Sequence, residues 1–221
     1  MLSQASHVFK CKPVRGIIHI GCSNTQQSTE YQQTFGLPES AVVSIDALIP
    51  TATLDDSDQF IAACCWSSTD IKTLYITNYK GCSGLYPPSS VHQSVVEDLK
   101  VVEELQVNTI NLDKLFTAEG LKEFNMLILS VNGAELDVLK GAEQVIQSFD
   151  YVLVTIFNLS MYTGASTPTE VSEWMKLHNF ELACSLKPQT EEEKQRTVIG
   201  SEKALYVTKE LKTIYMTNKL L

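Results

Sequence analysis

No stretch of the sequence approaches the roughly twenty consecutive apolar residues that a bilayer-spanning helix requires, and the opening MLSQASHVFKCKP lacks the apolar centre of a secretory signal. Neither a membrane partner nor export is expected, and the reading is of a cytoplasmic protein. Basic clusters are missing as well. The 17 Lys and Arg are scattered among 26 Asp and Glu, for a formal charge of -9. Nonspecific affinity for nucleic acid comes from clustered cations that neutralise phosphates, so no nucleic-acid partner is expected. The six cysteines, Cys11, Cys22, Cys64, Cys65, Cys82 and Cys184, form no CxxC pair. Structural zinc sites and disulfide frameworks rely on such spacing, and Cys64 and Cys65 lie side by side in an apolar run, so reduced, buried thiols are expected. Internal repeats and low-complexity segments are absent too.

What the sequence has is apolar content: 44% of 221 residues is enough for one large core and short for two. A single domain over residues 1–221 is expected, with 1–13 as an N-terminal extension. The chain is organised around residues 124–143, FNMLILSVNGAELDVLKGAE. Residues 126–131 are an apolar run too short for an ordinary helix, which reads as a strand buried on both faces. Asn132 stands three residues before Glu135, the spacing of a capping box. Leu136, Leu139, Val145 and Ile146 then share one helical face, with Val138 and Ala142 at its edge. In open α/β sheets ligands bind at the carboxyl ends of such strands, which makes residues 130–135 the first candidate site. On their own these residues need do no more than start a helix.

The remaining chain alternates in the same way. Residues 16–20 form a buried strand that ends in small residues at 21–25 and opens a helix over 26–35, stopped by Gly36 and Pro38. Residues 41–45 are a third strand, ending at Asp46. A carboxylate there can accept hydrogen bonds from both hydroxyls of a ribose, although Asp is also a common strand terminator. Residues 60–66 read as one strand and 72–77 as an edge strand. Residues 80–96, with Gly81, Gly84, Pro87, Pro88 and several serines, have no clear period and read as a long functional or mobile loop, reaching 97 and lying over the presumed site. A strand over 151–157 and a helix over 168–178 follow. Residues 180–185 and 204–208 pair as an antiparallel hairpin around 187–196, and 210–221 form a short helix. The fold class is α/β: a doubly wound, mainly parallel sheet.

These residues resemble the FkbM family of S-adenosylmethionine-dependent methyltransferases over nearly the whole chain. IIHIGCSNTQQSTEY (17–31) resembles the family's IHIGAHxGQExxxY, and SIDALIP (44–50) its IEPxP turn. AACCWSSTDIKTLYI (62–76) and the segment 82–85 resemble its AxS turn and serine-rich loop. VNTINLD (107–113) matches VxxxxLD, LILSVNGAELDVLKGAE (127–143) matches LKIDVQGAELEVLKGA, and ALYVTK resembles the closing strand. The resemblance implies the Rossmann-like class I methyltransferase fold, with a seven-stranded, mainly parallel sheet and a C-terminal antiparallel hairpin. It also implies S-adenosylmethionine as cofactor and a sugar or other hydroxyl as acceptor. Carried over by position, Gly21, Cys22 and Ser23 pass under the methionine part of the donor, Asp46 holds the ribose, and Trp66 with Ser67 borders the adenine. His19, Gln26, Tyr31, Ala47, Ser130 and Val131 complete the cofactor-binding set. The family's second loop glycine is Thr25 here, the Lys and Asp of LKIDVQG are Ile128 and Ser130, and a Glu of the later strand is Thr155.

Two functions are consistent with this pattern. The first is O-methyl transfer to a sugar or glycan hydroxyl, where the protein must align the hydroxyl and supply a base. The base candidates are Glu135, if its capping box leaves it free, Asp46, if it is not on the ribose, and His92, with Glu135 and His92 favoured; Ser83, Tyr86, Asn132 and Tyr162 are the acceptor-binding candidates. No metal is expected, because Ser130 and Thr155 have replaced carboxylates that hard cations prefer. The second is a catalytically degenerate binding module or scaffold, alone or within a larger multidomain enzyme. On the enzyme reading, residues 80–96 close over the site and bring His92 to the acceptor.

Overall fold

The computed structural model describes residues 2–22, 26–48, 59–121, 123–188 and 201–219. In chain order its strands are β1 (Ile17–Ile20), β2 (Val42–Asp46), β3 (Phe60–Ala62), β4 (Cys64–Cys65), β5 (Ile71–Thr77), β6 (Val101–Ile110), β7 (Met126–Leu129), β8 (Tyr151–Phe157), β9 (Phe180–Leu186) and β10 (Ser201–Thr208). The helices are α1 (Ser6–Phe9), α2 (Gln26–Phe35), α3 (Ser90–Val95), α4 (Leu112–Glu119), α5 (Glu135–Lys140), α6 (Pro168–Leu177) and α7 (Lys209–Lys219). No described helix is long and apolar enough to cross a membrane.

Seven strands form one sheet in the order β3-β2-β1-β7-β8-β10-β9. The first five are parallel, and β10 runs antiparallel to both β8 and β9. This is the mainly parallel sheet with a terminal antiparallel hairpin that the resemblance implied. The chain winds outward from β1 through β2 to β3, then returns to build β7 on the other side of β1. The crevice at the carboxyl ends of β1 and β7 is therefore the topological switch point, where such sheets bind ligands.

Strand alternation divides the core into two layers. Ile18, Ile20, Leu127, Leu129, Val152 and Val154 face one way, against Val138, Leu139, Trp174 and Met175 of α5 and α6. Ile17, Met126, Ile128, Tyr151 and Leu153 face the other, against Tyr31, Leu211 and Tyr215. Residues 2–9 belong to this second layer. Ala5 and Val8 are fully buried, and the Phe9 ring meets Phe35 and Tyr151 edge-on. Asp150 ties the segment that follows to the sheet: Lys12 Nζ lies 2.8 Å from its carboxylate, and Asn125 Nδ2 donates to it at 2.9 Å.

Three expectations are corrected here. Residues 60–66 are two short strands, not one. The Ala63 amide donates to Asp46 O, where β2 ends, and with no further partner in the large sheet the chain crosses to a small one, β4-β6-β5. Residues 80–96 hold a 3-10 turn at Lys80–Cys82 and the helix α3, whose cap is Ser89 Oγ accepting the His92 amide at 3.2 Å. Bridges from Gly84 to Tyr75 and from Pro88 to Tyr162 fasten this segment down. The third concerns α5, where Val138 and Ala142 are fully buried instead of marking an edge, while Val145 is only partly so. The helix ends at Lys140 and gives way to a turn and a 3-10 segment at Val145–Ser148, so the later positions do not continue its period; at Gly141 a Cβ would lie 2.2 Å from Trp66 O, an approach only glycine allows.

Candidate functional site

The carboxyl ends of β1, β2, β7 and β8 open into a cavity of about 1010 Å³. Gly21, at the end of β1, has φ +81, and its amide donates to Ile45 O at 2.8 Å. A Cβ at this position would meet Ser130 O at 2.2 Å, so only glycine lets the first turn pass the end of β7. Cys22 and Tyr31 line the same wall. Asp46 and Ala47 line it at the end of β2, where Asp46 Oδ1 accepts the Leu48 amide at 2.9 Å. Beyond them the wall is Ala63, Cys64 and Cys65. All six cysteines are free, with Cys22, Cys65 and Cys82 buried. Burial pushes the Cys64 thiol up to about 11, with the Asp46 charge adding to it, so it is protonated at neutral pH.

The turn from β7 into α5 differs from the expected capping box. Asn132 has φ +54, a left-handed conformation that asparagine tolerates, and Ala134 stands at the helix cap. The Glu135 carboxylate folds back beneath the turn: Oε1 accepts the Val131 amide at 3.0 Å and Oε2 the Gly133 amide at 2.9 Å. Glu135 is 3% exposed, and burial raises its carboxyl to about 7 against the pull of those amides. It organises the turn and does not line the cavity. Asn132 does line it, and its amide nitrogen donates to Gly81 O and Ser83 O at 2.9 and 2.7 Å, holding residues 80–84 against the site.

Ser130 and Val131 line the cavity where expected. Ser130 Oγ lies 3.0 Å from Thr155 Oγ1, and Lys203 Nζ donates to Ser130 Oγ at 3.3 Å. Ser83 also lines the cavity, with its hydroxyl accepting the Thr77 amide at 3.0 Å.

Other candidates lie elsewhere. His19 is buried beneath the floor, edge-on to Tyr31, and held well below its ordinary pKa by burial and then by the Lys203 charge. Trp66 packs between Lys72, whose ammonium is 5.1 Å from its ring, and Tyr86; neither Trp66 nor Ser67 lines the cavity, whereas Cys64 and Cys65 do. Tyr86 donates to Asp137 Oδ2 at 3.0 Å, away from the cavity. His92 and Tyr162 are buried against each other, ring centroids 4.9 Å apart, behind the wall that residues 79–85 form. Neither His92 nor Tyr162 lines the cavity, where both were expected to meet the acceptor: α3 turns the one inward and the Pro88 bridge fixes the other. Ser23 and the side chain of Gln26 lie outside the described residues. Among the described residues, no cluster of three His, Cys, Asp or Glu is disposed to hold a metal ion.

Lys203 was missed. Its signal was present, because alternation along β10 puts it on the same face as Leu205 and Val207, which are fully buried. A lysine at a core-facing position demands an explanation.

Three solved structures show a distant similarity to the chain. The M. capricolum TrmK, in complex with S-adenosylhomocysteine, has TM-score 0.42 and 8% identity, with 93% of this chain and 67% of that one covered. The magnesium protoporphyrin IX methyltransferase ChlM of Synechocystis PCC 6803 has 0.42 and 8%, covering 94% and 74%. Streptococcus pneumoniae Sp1610, a putative tRNA (m1A22) methyltransferase, has 0.39 and 8%, covering 94% and 70%. No curated protein matches the chain. The model of the methyltransferase FkbM domain matches residues 17–182, which run from the first strand of the sheet, past the glycine turn, Asp46 and the Glu135 turn, to the start of the terminal hairpin. With the class I sheet order and the cavity at its switch point, the chain belongs to the FkbM family of S-adenosylmethionine-dependent methyltransferases.

Proposed function

We propose that the protein transfers a methyl group from S-adenosylmethionine to a hydroxyl of a sugar or glycan. The observation that carries this reading is the division of one cavity into two chemical halves. From the ends of β1 and β2 and the chain beyond them come Gly21, Asp46 and the wall of Ala63, Cys64 and Cys65; from the ends of β7 and β8, the start of β10 and the segment held by Asn132 come hydroxyls and an amide, those of Ser130, Thr155, Ser201, Ser83 and Asn132.

The first half fits the donor. The whole cavity has room for a nucleoside-sized ligand beside an acceptor, the glycine turn leaves backbone exposed where a side chain would intrude, and Asp46 offers a carboxylate to a ribose. Gly21 and Cys22 would flank the methionine part, Asp46 would accept the ribose hydroxyls, and Cys64 and Cys65 would border the adenine. Bound S-adenosylmethionine supplies a methyl group on a sulfonium sulfur with its leaving group already in place. What remains for this chain is to position the acceptor and take its proton. The hydroxyl-lined half suits a neutral polyol, since alternating donors and acceptors match a sugar's own hydroxyls.

Incubation with methyl-radiolabelled donor and parallel panels of glycans, proteins and nucleic acids tests the reading. Label in a glycan is the expected result, and label confined to protein or nucleic acid overturns it. One observation favours the second reading, a degenerate binding module: neither Glu135 nor His92 reaches the cavity. That reading requires donor binding with no transfer to any acceptor.

A further inference from the structure

We propose that Lys203 is the general base of the transfer, taking the proton of the acceptor hydroxyl at its Nζ through direct contact at the β7 and β8 end of the cavity. This rests on the hydroxyl-transfer reading above and names the group that reading lacks. Lys203 lines the cavity, stands opposite Thr155 in the antiparallel pairing of β10 with β8, and points Nζ at Ser130 Oγ, which is itself in contact with Thr155 Oγ1. The nitrogen therefore sits at the inner end of a row of hydroxyls at the strand ends. An acceptor hydroxyl joining that row can donate to it.

The surroundings decide its protonation. The groups facing Lys203 are His19 from β1, the Ser130 and Thr155 hydroxyls from β7 and β8, and Glu135 from the start of α5; on its other side β9 sets Leu186 opposite it. His19 is neutral, and both Glu135 oxygens are engaged by turn amides. Among the described residues no carboxylate forms an ion pair with Lys203. Burial lowers its ammonium to about 8, with the Glu135 charge opposing the shift. An ordinary lysine holds its proton to about pH 10.4, whereas this one is roughly one tenth neutral amine at pH 7, a basicity suited to general-base work. A sulfonium in the same cavity is a second positive charge and acts in the same direction.

The step balances without another reagent. The acceptor O–H proton passes to the lone pair of Nζ, the oxygen forms a bond to the methyl carbon, and the electron pair of the breaking carbon–sulfur bond goes to sulfur. The products are the ether, the neutral thioether and the Lys203 ammonium, which returns its proton to solvent.

The test starts with the wild-type protein and needs no acceptor. Competitive labelling with acetic anhydride from pH 6 to 11, read by mass spectrometry at the Lys203 peptide, is expected to give a midpoint near 8, lower with S-adenosylmethionine bound than with S-adenosylhomocysteine. A midpoint near 10 overturns the proposal, since the residue then stays charged and serves to bind an acidic group. Lys203→Met, folded by circular dichroism, is expected to keep donor affinity by calorimetry while kcat on a labelled glycan falls about 10²- to 10⁴-fold, with partial rescue by added methylamine. A variant as fast as wild type overturns the lysine's role alone. If wild type labels no hydroxyl acceptor, the hydroxyl-transfer reading fails and takes this assignment with it, whatever the midpoint.

Discussion

Glu135 shows how a residue can look catalytic in a sequence and be architectural in the fold. Replacing it with Ala leaves the Val131 and Gly133 amides buried without partners, which costs about 1 to 3 kcal/mol. Urea unfolding of Glu135→Ala measures this directly, and an unchanged midpoint refutes it. The same carboxyl makes stability depend on pH. Burial raises it in the folded protein from 4.5 to about 7, so the folded state holds the proton more tightly than the unfolded chain does. Its contribution is fully present below pH 4.5 and is lost as pH rises through 7. Glu135→Gln should flatten the slope of stability between those values; an unaltered slope assigns it to other groups. From sequence, the spacing of Asn132 and Glu135 was legible but its use was not, because which amides a carboxylate meets depends on the left-handed turn at Asn132 and Gly133. The positions of Gly21 and Asp46 at the ends of β1 and β2, on the wall of the cavity, were legible because a strand end is a local feature.

At the scale of elements, local signals served where the partner was local. The span Gln26–Phe35 of α2 follows from Gly36 and Pro38. Residues 60–66 and 80–96 were misread because their partners are distant: β4 pairs with β6 some forty residues on, and Asn132 grips the carbonyls of Gly81 and Ser83. The glycine- and serine-rich segment, read as a long functional or mobile loop over the site, does line the cavity but is fastened down as part of its wall. Asn132→Gly separates the two roles of that asparagine, since glycine adopts φ +54 without strain but cannot make the two hydrogen bonds. We expect faster amide exchange across residues 80–85 in this variant, with a stability loss of about 1 to 3 kcal/mol. Unchanged exchange would show that the Tyr75 and Tyr162 bridges alone hold the segment.

The molecule as a whole is a sheet covered on both faces, with residues 2–9 completing one cover instead of extending from it. Val8 is fully buried there beside Phe9 and Tyr151. Val8→Ala should cost about 1.5 to 3 kcal/mol in chemical unfolding, and a cost near zero would mean that this segment packs too loosely to count as core. The same segment brings Leu2 and Ser3 to the rim of the cavity, so the second core layer and the site share a wall. The central claim is that this cavity, at the switch point of the sheet, holds the methyl donor through Asp46. Calorimetric titration of the protein with S-adenosylmethionine, beside Asp46→Ala, tests it most directly. The account predicts one donor per chain, with affinity weakened by about 1 to 3 kcal/mol in the variant as charge-assisted hydrogen bonds to the ribose are lost. Titrations of the folded wild type and variant that superimpose, or that show no binding, would contradict it.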